Sequence, residues 1–162
     1  MSEDPYRLQR FVAAQDDGEM YERALSELRA GRKASHWMWF VFPQIAGLGH
    51  SPTAVAYAIA SLAEARAYLA DPLLGPRLLE CTRALMHAKG STAEEILGTV
   101  DAIKLRSSMT LFARAAPSEP LFRQVLDRYF YGVADEETEQ LLRARAMPAA
   151  DPQLDVELHD GS

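Results

Sequence analysis

Apolar residues recur at three- and four-residue spacing from Leu8 to Leu142, broken at short intervals by capping residues, proline and glycine. A chain with that period must bury stripes of helix against one another, and the breaks keep each helix short. Asp4-Pro5 is a cap followed by proline at the first helical position, with Leu8, Phe11 and Val12 as the stripe. Asp16-Asp17-Gly18 punctuates. Met20, Tyr21, Ala24, Leu25 and Leu28 mark a second helix, with Gly31 just past its end. The run Ser35 to Pro43 fits a buried helix or a buried strand. A short helix stopped by Pro43 is expected, because no partner strand is visible.

Further on, Ile45 to His50 is a glycine-containing loop, and Ser51-Pro52 opens a helix through about Ala60. Ser61-x-x-Glu64 and Ser91-x-x-Glu94 read as capping boxes. Asp71-Pro72 makes a turn. Pro76 heads a helix from Arg77 to Ala88, ended by Gly90, and Gly98 closes the short helix after Ser91. Asp101 can cap a helix from Ala102 to Ala116. Pro120 to Phe130 follows, and Asp135 caps a last helix carrying Leu141 and Leu142. The expected class is all-α, a single compact domain of about eight to ten short helices over residues 4–146.

The segment from Met147 to Ser162 differs. It holds Asp151, Asp155, Glu157 and Asp160, two prolines and no base, and reads as a disordered acidic tail. The alternation of Leu154, Val156 and Leu158 leaves a docking role open. The whole chain has 17 basic and 23 acidic residues, a formal charge of −6. The tail carries four of those acids, so residues 1–146 have 17 bases against 19 acids, only −2. That balance argues against broad nucleic-acid binding and permits a small anion held by one or two lysines.

Other exclusions narrow the setting. Cys81 is the one cysteine, so no internal disulfide can form. The start MSEDPYRLQR lacks the basic and apolar regions of a signal peptide, and no apolar run approaches a membrane span. A cytoplasmic protein without membrane association is expected, its oligomeric state left open. His36, His50, His87 and His159 show no zinc-ligand spacing, so no metal is expected. No Walker or dinucleotide motif occurs, and no cofactor is expected. Cys81 inside an amphipathic helix fits a small core residue better than a nucleophile.

Three constellations could carry chemistry. If Lys33 to Phe40 is helical, Lys33, His36, Trp37 and Phe40 share one face, which suits a flat anionic ligand. The plain alternative is that the aromatics are core. Gln44 follows as a polar group after the apolar run. Gly47, Gly49 and Ser51 lead into a helix and could form an anion nest, or simply a loop with an N-cap. Asp101, Lys104 and Ser108 share a helical face, with Ser107 beside it. That set is either a polar pocket wall or a solvated stripe with an Asp–Lys pair.

Together they point to a pocket protein for a small anionic or nucleotide-like ligand. If it is an enzyme, His36 is the general acid or base, with Lys104, Ser107 and Ser108 as the other catalytic candidates. Lys33, Trp37, Gln44, Gly47, Gly49 and Ser51 would bind the ligand. This expects His36 and Lys104 to meet in one pocket. The alternative is a non-catalytic interaction or regulatory module.

The strings LQRFVAAQ, YERALSELRAGRKASHWMWFVFPQIAGLGHS, SLAEARAYLADPLLGPRL and IKLRSSMTLFARA resemble the bacterial domain-of-unknown-function 1810 family over about Asp4 to Leu142. The resemblance implies a compact, mainly helical fold and no established reaction. His50 stands where the family pattern leads one to expect a basic residue, often arginine. The calpastatin-like label sometimes given to such proteins finds no support here, because an extended inhibitor would not be capped and apolar-periodic throughout.

Overall fold

Local cap chemistry sets most of the helix starts. The computed structural model describes residues 4–88 and 92–146. The expected stop at Gly90, the cap at Ser91 and the tail from Met147 fall outside those residues. The Asp4 carboxylate accepts the N–H groups of Leu8 at 2.7 Å and Gln9 at 2.9 Å and starts α1, Gln9–Asp16. A 3₁₀ turn, Asp17–Glu19, with Gly18 at φ 59°, redirects the chain into α2, Met20–Ala30. Gly31 ends α2 in the left-handed conformation at φ 76°.

α3 is a single turn, Met38–Val41. It does not extend back to Lys33, as the one-face reading required. The carboxylate of Glu27 takes the N–H groups of Ala34 and Ser35 at 2.8 and 2.9 Å, and Lys33 N–H donates to the Ile96 carbonyl at 2.7 Å. Those bonds to distant partners replace the helical ladder.

Ser51 caps α4, Pro52–Ala56, its hydroxyl accepting from Ala54 N–H at 3.1 Å. α4 stops short of Ala60 because Ile59 makes an isolated parallel bridge with Ile45. Ile59 N–H donates to the Gln44 carbonyl, and Ala46 N–H donates to that of Ile59, both at 2.8 Å. Ser61 caps α5, Leu62–Ala70, as expected. Glu64 reaches back to Ala60 N–H at 3.0 Å and also pairs with Arg10 at 2.9 Å.

α6 runs Leu74–Met86, starting two residues before Pro76, because the Asp71 carboxylate takes Leu73 and Leu74 N–H. α7, Ala93–Leu97, is capped by the Thr92 hydroxyl on Glu95 N–H at 3.0 Å. Thr92, one residue later than Ser91, has the spacing that reaches Glu95. α8, Thr99–Ala115, begins before Asp101, which therefore lies in its first turn and does not cap it. α9 is Pro120–Phe130 and α10 is Glu136–Ala146. Asp135 precedes α10 and accepts from Thr138 N–H at 2.9 Å.

α8 is the central helix and packs on α5, α7, α9 and α10. An aromatic chain crosses the core: Phe11 to Tyr68 at 5.1 Å between ring centroids, Tyr68 to Phe112 at 5.5 Å, and Phe112 to Phe122 at 5.7 Å. Buried Gln15 ties α1 to α3, donating to the Phe40 carbonyl at 2.7 Å. The protein is all-α, a single compact domain, with no strand among the described residues. No helix of the described residues is long and apolar enough to cross a membrane.

Candidate functional site

The polar residues singled out on α8 meet the α2–α3 connection around one carboxylate. Asp101 receives Lys33 Nζ on Oδ2 at 2.9 Å and Lys104 Nζ on Oδ1 at 3.2 Å. Lys33 also donates to the Ser35 carbonyl at 2.6 Å, and its side chain is 8% exposed. Two ammonium groups thus share one carboxylate in a partly desolvated position, which leaves one positive charge over. Each lysine also lies over an indole: Lys33 Nζ is 5.1 Å from the Trp37 ring centroid and Lys104 Nζ is 4.4 Å from that of Trp39.

Glu27 braces this corner from α2. Besides Ala34 and Ser35 N–H, it accepts the Ser35 hydroxyl at 2.6 Å and the Trp37 indole N–H at 2.8 Å. Burial would raise its carboxyl, but these four donors outweigh burial and hold it at about 2.

Beside the lysines, α8, the 44–49 loop and the start of α10 enclose a cleft of about 430 Å³. Lys104, Ser107, Gln44 and Gly49 line it, so four of the expected residues converge there. Leu48, Val100 and Ile103 supply an apolar wall, and Asp135, Glu136 and Glu137 supply an acidic lip. Arg106 also lines it, but its guanidinium donates to the carbonyls of Val133 at 2.8 Å and Ala134 at 3.2 Å.

The other expected residues are placed elsewhere or are already engaged. Trp37 is wholly buried with its N–H on Glu27, so it cannot stack on a ligand; Trp39, half-buried, holds the position beside Lys104. His36 is exposed ahead of α3 and does not line the cleft, so the joint His36–Lys104 site is not formed there. The Ser51 hydroxyl caps a five-residue helix. Gly47, at φ 108°, turns the loop against Leu141 and Arg145. A side chain on Gly49 would put its Cβ 2.6 Å from that of Ala54, so close packing accounts for that glycine. Ser107 donates to the Ile103 carbonyl at 3.3 Å, and Ser108 is buried with no partner for its hydroxyl. Cys81 is buried, and burial pushes its thiol up to about 12, which suits a core residue. No cluster of metal-ligating side chains occurs among the described residues.

Asp101 as a bridge to Lys33, the bracing by Glu27 and the role of Trp39 did not emerge from spacing. Only the Asp101–Lys104 pair, three residues apart on one helix, was visible there. A larger hollow of about 670 Å³ lies between α8, α9 and α10, with Arg114, Arg123, Asp127 and Glu139 on its walls. Arg114 is already paired with Glu139 across it. We place the candidate site in the smaller cleft, because the lysine-bearing cluster opens there.

Comparison with known proteins agrees with this architecture. A solved structure from Mycobacterium tuberculosis, described as the conserved hypothetical protein Rv1873, is 54% identical and superposes with a TM-score of 0.84 over 86% of this chain and 99% of that one. A comparison with curated proteins finds no match. The profile of the family described as "Protein of unknown function (DUF1810)" matches residues 5–142, and the chain belongs to that family.

Proposed function

We propose that the protein binds a small molecule with an anionic head and an apolar body in the cleft between α8, the 44–49 loop and the start of α10. The carrying observation is Lys104. Its ammonium is steered by Asp101 and the Trp39 ring, lines the cleft, and belongs to a pair of lysines that share one carboxylate. A monoanion at Lys104 would balance the surplus charge. The body of the ligand would cover Leu48, Val100 and Ile103. The acidic lip disfavours further negative charge, so monocarboxylates, with a single charge, fit better than monophosphates or polyphosphates. Gln44 would orient the ligand.

The test is a thermal-shift screen of monocarboxylates, sugar monophosphates and nucleotides. A ligand at 100 times its dissociation constant adds about 2.7 kcal/mol, a shift of several degrees for a domain of this size. The shift should vanish in Lys104→Ala and persist in Arg83→Ala, a change at an exposed position that does not line the cleft. Stabilisation that survives Lys104→Ala, or a screen without hits, overturns the reading.

A further inference from the structure

The hollow of about 670 Å³ between α8, α9 and α10 has charged walls that are only partly satisfied. Arg114 of α8 meets Glu139 of α10 through both its Nε and a terminal nitrogen, so that pair is closed. α9 presents three further charges to the same space: Glu119 at its N-cap, then Arg123, then Asp127. Successive members are four residues apart, a little over one turn. A negative, a positive and a negative group therefore rise along one side of the helix at intervals of about 6 Å.

Opposite charges at this spacing commonly pair on a helix surface, and here they do not. The Glu119 carboxylate turns to its own helix end, where Oε2 accepts Leu121 N–H at 3.2 Å. That bond uses one oxygen and leaves the negative charge without a counter-charge. The Asp127 carboxylate leans toward Gly132, where a Cβ would stand 3.0 Å from Oδ1. That draws it toward the far end of α9, and an acid placed four residues after its base is the weaker order for such a pair. Among the described residues no hydrogen bond or ion pair engages the side chain of Arg123 or of Asp127. With Arg114 and Glu139 included, two bases and three acids line the hollow, which leaves one negative charge over. Ala113, Pro117 and Ala134 supply apolar surface beside these groups.

We infer that this hollow is a second binding site and takes a free basic α-amino acid of the lysine or arginine kind. The ligand's carboxylate sits on the Arg123 guanidinium, whose fork can hold both oxygens. Its two cationic groups, the α-ammonium and the side-chain head, go to Asp127 and Glu119, one turn away on either side. The pattern of the ligand, positive, negative and positive, is the complement of the pattern on α9. Its net charge of plus one balances the charge left over in the hollow. The aliphatic stem of the ligand covers the apolar surface at Ala113, Pro117 and Ala134. A simple anion satisfies Arg123 alone and meets the surplus negative charge, so the site differs in kind from the cleft at Lys104. The inference does not rest on the ligand proposed for that cleft.

Isothermal titration calorimetry of the full chain with L-lysine and L-arginine tests it. At least one of the two should bind. Norleucine, which lacks the side-chain cation, and lysinamide, which lacks the carboxylate, should bind more weakly by about tenfold or more. Arg123→Gln and Asp127→Asn should each weaken binding by about tenfold or more, whereas Lys104→Ala should leave it unchanged. Arg123 and Asp127 are exposed, so both variants should keep the melting temperature of the unmodified chain within a few degrees. The absence of heat with both amino acids at millimolar concentration overturns the inference. Norleucine binding as tightly as lysine also overturns it, because the side-chain cation then plays no part. Heat that persists in Arg123→Gln and is lost in Lys104→Ala overturns it too and assigns the carboxylate to the cleft. Failure of the cleft reading shows in the thermal-shift screen with Lys104→Ala and leaves these titrations unchanged.

Discussion

Trp37 donates its indole N–H to the carboxylate of Glu27 at 2.8 Å, which fixes the segment ahead of α3 to the last turn of α2. The same carboxylate holds Ala34 and Ser35, so one side chain shapes the turn that delivers Lys33 to Asp101. Glu27→Ala leaves the buried indole N–H without a partner. It should cost roughly 2–3 kcal/mol in urea denaturation at neutral pH. The folded carboxyl sits at about 2 against an ordinary 4.5. Its folded value is depressed, so its stabilisation is complete above about 4.5 and is lost as pH falls toward about 2. Acid unfolding of Glu27→Ala should therefore show a shallower loss of stability across that window than the unmodified protein. An identical slope would contradict the role given to the four donors.

Asp101 stands between two lysines, and its loss should matter more than the loss of either. Asp101→Ala leaves both ammonium groups partly desolvated without a counter-charge, a change expected to cost about 2–4 kcal/mol. Lys104→Ala leaves the tighter Lys33–Asp101 pair intact and should cost about 1 kcal/mol or less. A double-mutant cycle on Asp101 and Lys33 measures the coupling. A cycle that sums to zero would mean that the bridge contributes only by proximity.

Much of the fold was legible because caps act within a few residues. Ser51, Ser61 and Asp135 take the bonds that their sequence context implied, whereas Asp4 reaches on to Leu8 and Gln9, so that α1 starts at Gln9 and Pro5 lies in the turn before it and not at the first helical position. Boundaries slipped where a cap acts at an unexpected offset, as Asp71 does on Leu73 and Leu74. The site was legible in part. Lys104, Ser107, Gln44 and Gly49 stood out by residue type, and the fold brings them to one cleft. The spacing of Lys33, His36 and Trp37 implies a helical register that tertiary bonds to Glu27 and Ile96 override. Those partners lie outside any local period, so spacing could not reveal them.

Gly75 carries a constraint that composition hides. A Cβ there would stand 2.0 Å from the Leu69 carbonyl oxygen and 2.9 Å from its carbon. Both are backbone atoms, so relief requires moving the α5–α6 turn. Gly75→Ala should cost about 3 kcal/mol or more, whereas Gly49→Ala, opposed by a single side-chain methyl, should cost less. Melting temperatures of the two variants decide the order. Equal losses would place the contact with Leu69 in doubt.

Ser107 and Ser108 are neighbours on α8 with opposite expected responses to alanine. The Ser107 hydroxyl donates to the Ile103 carbonyl and lines the cleft. Ser107→Ala removes one weak bond and should cost under about 1 kcal/mol, with its larger effect on ligand affinity. Ser108 is wholly buried and its hydroxyl has no partner. A buried hydroxyl without a partner is destabilising, so Ser108→Ala should leave stability unchanged or raise it by about 1 kcal/mol. Denaturation of the two single variants, alongside the thermal shift given by a hit from the ligand screen, separates the roles. Stabilisation by Ser108→Ala with the ligand shift intact makes Ser108 a packing position. A ligand shift abolished by Ser108→Ala alone would instead turn the binding surface toward the core face of α8 and away from the cleft that Lys104 lines.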